Sequence, residues 1–122
     1  MTRLRAASPY LLAALLAAGG TLHFLVPGPY DRIIPSFLPA PRLWTYASGV
    51  VELACAAAVL APPSRRWGAL ATALLFIAVF PANVQMALDA QGPTARAVAY
   101  ARLPLQVPLV LWALHVRRSA ST

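Results

Sequence analysis

Lysine is missing from this chain altogether, and acid is scarce: against ten arginines stand only Asp31, Glu52 and Asp89. Charged residues make up 11% of the sequence, where a soluble domain carries about a quarter. The single cysteine, Cys55, allows neither an intrachain disulfide nor a Cys-x-x-Cys pair. That argues against a self-contained thiol–disulfide oxidoreductase, and in an apolar span Cys55 reads as a packing residue. No Gly-rich phosphate loop occurs, and no grouping of His, Cys, Asp or Glu has the spacing of a metal site. By its place in the fourth span His115 falls at the cytoplasmic edge, far in depth from His23 in the outer third of the first, which speaks against a bis-histidine haem and suits a helix C-terminus cap instead. A net charge of +7 would suggest nucleic acid in a soluble protein. Here the arginines stand at the ends of apolar stretches without interleaved aromatics, so they read as membrane-flanking charge and nucleic acid is excluded as a partner.

What is abundant is apolar sequence: 60% of the residues are hydrophobic and the mean hydropathy is +0.67. Charges divide it into four spans, at about 9–26, 43–61, 67–88 and 97–115. Each has roughly the twenty residues that cross about 30 Å of hydrocarbon. They are rich in Ala and Leu and lack period-two alternation, which favours helices over barrel strands. Ser8-Pro9 reads as the first helix start. The resulting expectation is one domain over 1–122: an all-α, antiparallel four-helix membrane bundle, since the short connections 61–66 and 89–96 force neighbours antiparallel. The first connection, 27–41, is different. Its five prolines forbid continuous helix, while Ile33, Ile34, Phe37 and Leu38 are too apolar for a solvated linker. It is expected to fold back on the bundle as a lid or to lie in the interface. Met-Thr-Arg-Leu-Arg before an Ala/Leu run resembles a signal peptide with Ala17-Ala18-Gly19 as its cleavage site. The run continues through Phe24 and Val26, which favours a retained span.

Six arginines (3, 5, 65, 66, 117, 118) fall on one side of such a bundle and four (32, 42, 96, 102) on the other. The positive-inside bias then puts both termini in the cytoplasm. With a rise of about 1.5 Å per residue, His23, Glu52, Asn83, Arg102 and Gln106 all fall in the extracytoplasmic half. Random placement would scatter them. Ser48 and Glu52 share a helix face, as do Arg102 and Gln106, and Gly19 lies one turn below His23. Pro81, Pro104 and Pro108 should kink their helices and free carbonyls beside this layer. Glu52 is the only charge between Arg42 and Arg65. In hydrocarbon such a group is either paired, with Arg102 or His23 as the nearest choices, or neutral. Each of these residues also has a plain structural use: Arg102 can snorkel, His23 can be a hydrogen-bonded core histidine, and Asn83 and Gln106 can tie helices together.

At these same residues the chain resembles the DoxX-like family of small four-helix bacterial membrane proteins. The resemblance rests on His23-Phe24-x-x-Pro27-x-x-Tyr30, Ile34-Pro35-x-x-Leu38-Pro39-x-Pro41 and Tyr46-x-Ser48-Gly49-x-x-Glu52. It continues through Phe80-Pro81-Ala82-Asn83-x-x-Met86 and Arg102-Leu103-Pro104-x-Gln106. It implies a bacterial inner-membrane location and work beside redox enzymes, as in relatives that serve a thiosulfate:quinone oxidoreductase or a thiol-stress complex. It transfers no catalytic residues. The first functional expectation is therefore a redox-associated subunit or scaffold. Its polar pocket (His23, Glu52, Asn83, Arg102, Gln106, Tyr46 and Ser48, with Trp44 and Phe80 nearby) would take a quinone or another lipid-soluble molecule. Its partners would be the bilayer and cytoplasmic redox enzymes, and a homo-oligomer stays open. No cofactor signature is evident, and no metal is expected. A lipid-transforming acid–base enzyme using Glu52 and His23, a small proton-coupled exporter, and a ligand-free assembly factor remain as alternatives.

Overall fold

A computed structural model of the chain describes residues 2–120. Among them there is helix and no strand. The helices are α1 (Thr2–Leu25), α2 (Pro27–Ile33), α3 (Pro41–Leu60), α4 (Arg65–Ala78), α5 (Phe80–Asp89) and α6 (Pro93–Ser119), with a 3-10 turn at Pro62–Ser64. Four stretches are long and apolar enough to cross a membrane: Ala6–Leu25, Pro41–Leu60, Pro62–Asp89 and Pro93–Ser119. Helix α1 packs on α3, α3 on α4, and α4 and α5 on α6, giving a helical bundle.

The prolines explain where helices stop and where they do not. Helix α1 begins two turns before the start expected at Pro9, which sits inside it. That proline withdraws one backbone donor near the helix N-terminus, and the charged residues ahead of it simply prolong the helix beyond the apolar stretch. The third span does break, at Val79, and Pro81 falls in the first turn of α5, where a missing N–H is harmless. Helix α6 runs through Pro104 and Pro108 without interruption. Within the Pro-rich connection, Pro27 and Pro29 open the short helix α2, and Ile34 turns extended ahead of Pro35.

An apolar core fills one end of the bundle. Leu12, Leu16, Val59, Ala69, Ala113 and Val116 are buried there, with Phe76 toward the middle. The indole of Trp112 on α6 donates to the Ser8 hydroxyl on α1 at 2.9 Å, tying the same end. Leu25, Leu43, Trp67, Leu74 and Leu111 are exposed on the outside, an apolar surface of the kind lipid covers. At the opposite end α2 lies against α3, α5 and α1.

One cluster holds α2 in place. Asp31 accepts from the Thr45 hydroxyl at 2.6 Å and from Arg42 Nε at 2.8 Å, both in the first turns of α3. The Thr45 bond, backed by Arg42 and outweighing desolvation, holds the Asp31 carboxyl below the usual carboxylate range. A depressed folded pKa gives stability that is present above the unfolded value and is lost as pH falls through the folded one. Acidification below about pH 4, or Asp31→Asn at neutral pH, is therefore expected to release α2 while the long helices persist. Amide exchange over 27–40 checks this. Equal protection of that segment in Asp31→Asn and the native chain would show the clamp to be idle.

Candidate functional site

Beneath α2 the bundle is not filled. A cavity of about 250 Å³, open on one part of its boundary, is lined there by residues of α1 to α6, among them Gly19, His23, Tyr30, Thr45, Ser48, Glu52, Asn83, Arg102 and Gln106. Leu15, Ile33, Ile34, Leu75, Phe76, Val79, Leu105 and Leu109 complete it with apolar surface. Its volume is close to the roughly 300 Å³ at the small end of ligand pockets, room for one ring-sized head group.

Glu52 reaches the cavity because two glycines let α1 and α3 approach closely. A Cβ on Gly19 would overlap Glu52 Oε1, and one on Gly49 would lie 2.7 Å from Phe24 Cε2 and 2.9 Å from His23 Cβ. The carboxyl therefore lies over the bare backbone of α1. His23 Nδ1 is 2.7 Å from the Gly19 carbonyl and 3.6 Å from Glu52 Oε2. A carbonyl only accepts, so Nδ1 carries a proton and donates it to Gly19, with Glu52 beyond hydrogen-bond distance but within ion-pair reach. Glu52 meets His23, and Arg102 is not within ion-pair distance of it. Tyr30 of α2 stacks on the imidazole, ring centroids 3.8 Å apart. Burial pushes the Tyr30 phenol up, Glu52 adds to the rise and Arg102 opposes it, so the hydroxyl remains a protonated donor at neutral pH.

The α5–α6 wall offers donors. Asn83 Nδ2 donates to Gln106 Oε1 at 3.0 Å, and both side chains are buried. Gln106 Nε2 has no partner in spite of its burial. Arg102, one turn earlier, lines the same cavity with Nη1 3.5 Å from Met86 Sδ.

Six of the seven residues singled out in the sequence line this cavity: His23, Ser48, Glu52, Asn83, Arg102 and Gln106. Tyr46 does not. Its ring stacks on Phe24 at 5.2 Å, under the Arg42 guanidinium, on the outer side of α3. The reason is helical phase, since Tyr46 is six residues from Glu52 and falls off its face. Trp44 and Phe80 are exposed and also lie outside the lining. Thr45 and Tyr30 were missed. Thr45 precedes Ser48 by three residues and Glu52 by seven, a spacing that places all three on one face.

The family described as "Domain of unknown function (DUF8561)" matches residues 12–117. The chain belongs to that family. No curated protein and no solved structure matches it. The DUF8561 match spans every cavity-lining residue, from Leu15 to Leu109.

Proposed function

We propose that this DUF8561 member is an antiparallel four-helix protein of the bacterial inner membrane, with both termini cytoplasmic, that holds a quinone or similar lipid-soluble molecule as a subunit or scaffold of a redox assembly. The observation that carries the reading is the cavity itself. Polar side chains from all four spans converge on a space that remains open, whereas side chains serving only to tie helices together would close on one another. The DoxX-like motifs supply the redox context, and the short connections and arginine distribution support the topology. A quinone ring suits the lining: Gln106 Nε2, Arg102 and Tyr30 would supply donors for its oxygens, and Leu105, Val79 and Ile33 would offer apolar surface to its ring. When bound, the quinone supplies reversible two-electron chemistry; the protein's part is to hold and orient it.

The test is purification of the full chain from bacterial membranes in mild detergent. Solvent extraction should yield a quinone near one per chain, and cytoplasmic redox enzymes should co-purify. Absence of both would remove the reading. The 3.6 Å His23–Glu52 contact favours a second reading, acid–base catalysis on a lipid. It requires an ordered amphiphile whose reacting carbon lies within hydrogen-bond reach of Glu52, and a ligand seated elsewhere in the cavity would exclude it.

A further inference from the structure

The two sides of the cavity are chemically unequal. On α1 and α3, Glu52 and His23 face each other at 3.6 Å, within ion-pair reach, and the imidazole donates to the Gly19 carbonyl. On α6, Gln106 is 8% exposed, its carbonyl is engaged by Asn83, and its Nε2 is left without a partner. A buried amide donor is rarely abandoned in this way, because it has given up water and received nothing. With Asn83 Nδ2 donating to Gln106 Oε1, the group left over is Nε2, a donor. Arg102 is one turn away on the same face and has donors alone to offer. Its thioether contact with Met86 is a weak substitute for an oxygen acceptor.

The geometry points to a head-group site on α6: Gln106 Nε2 and Arg102 together receive an acceptor oxygen, carbonyl or carboxylate, of an amphiphile whose apolar body fills the rest of the cavity. This rests on the ligand-holding reading and deepens it, assigning recognition of the oxygen to these two residues and not to Glu52. An oxygen at Nε2 relieves an existing deficit, whereas an apolar ligand of equal size leaves it in place. The site therefore selects for the oxygen by more than a surface hydrogen bond would.

The experiment uses the delipidated full chain in mild detergent and three probes with the same decyl tail: decylbenzoquinone, 4-decylbenzoate and decylbenzene. Competition is read by native mass spectrometry. At least one oxygenated probe should bind about tenfold more tightly than decylbenzene, a comparison that needs no variant. Gln106→Met should erase the quinone preference, and Arg102→Gln should weaken the benzoate more than the quinone. A preference for the quinone alone identifies a neutral carbonyl ligand; a preference for the benzoate alone identifies a carboxylate. Equal binding of all three probes would overturn the head-group site while leaving the ligand pocket standing. An unchanged preference in both variants would do the same. Binding of none would overturn both.

Discussion

Gly68→Leu is expected to prevent assembly of the bundle, and Gly68→Ala to lower its stability by about 2 kcal/mol, within the range for overpacked cores. A Cβ at Gly68 would stand 2.7 Å from Ala58 Cβ and 2.8 Å from both the Ala58 carbonyl carbon and the Val59 nitrogen. Those last two are backbone atoms in α3, and no rotamer change moves them. Relief comes only if α4 moves away from α3, and the damage then spreads. The turn between them is held by Arg65, whose Nε donates to the Val59 carbonyl at 2.7 Å and whose Nη2 donates to that of Leu60 at 2.9 Å. Ser64 donates to the Ala58 carbonyl at 2.9 Å. These bonds satisfy carbonyls that the end of α3 leaves unpaired, and they lengthen as the helices part. Buried Val59, Ala69 and Phe76 would lose contacts at the same time. Unfolding in mixed detergent micelles, followed by circular dichroism, measures the effect. A native midpoint for Gly68→Ala would refute the close approach of α3 and α4.

How much of this was legible beforehand depends on what signal each feature leaves in a sequence. The four spans announce themselves, because a stretch free of charge and about twenty residues long has few other uses. The polar layer was legible for a related reason: an isolated Glu52 or Asn83 in hydrocarbon stands out against Ala and Leu, and the helical rise converts its position to a depth. Partner choice was not legible. Arg102 and His23 were both open to Glu52, and what separates them is the missing Cβ at Gly19, which brings α1 against the carboxyl. Tyr46 enters through the motif Tyr46-x-Ser48-Gly49-x-x-Glu52, and membership of a motif carries no information about which side of the helix each member faces. Helix α2 was hidden by its prolines, which read as breakers although two of them stand where a helix begins. Asp31 looked like one more loop charge, and only the fold brings Thr45 and Arg42 to it.

Gly19→Ala should deprive the cavity of its ligand while leaving the carboxyl in the chain. The added methyl would occupy the place of Glu52 Oε1. Unlike the contact at Gly68, this one involves the far end of a flexible side chain, so the carboxyl can swing away and the bundle stays folded, at a cost of under about 1.5 kcal/mol. Swinging away breaks the 3.6 Å contact with His23 and drives the carboxyl into a cavity of only about 250 Å³. A ligand then meets both a smaller space and an unpaired polar group, and either loss alone weakens binding several-fold. The expected result is at least a tenfold drop in bound ligand per chain for Gly19→Ala, with a thermal midpoint close to native. Gly20→Ala is the control. Its Cβ would meet Leu53 Cγ at 2.8 Å and the Gly49 carbonyl oxygen at 3.1 Å, so it strains the same helix pair at a site that does not touch the carboxyl. A midpoint that falls for Gly20→Ala with ligand retained by the folded fraction, beside a ligand lost from a stable Gly19→Ala, separates the position of Glu52 from the packing of α1 on α3. Full ligand occupancy in Gly19→Ala would mean that the carboxyl does not rest on the α1 backbone, and the cavity would then need a different account of what holds its acid in place.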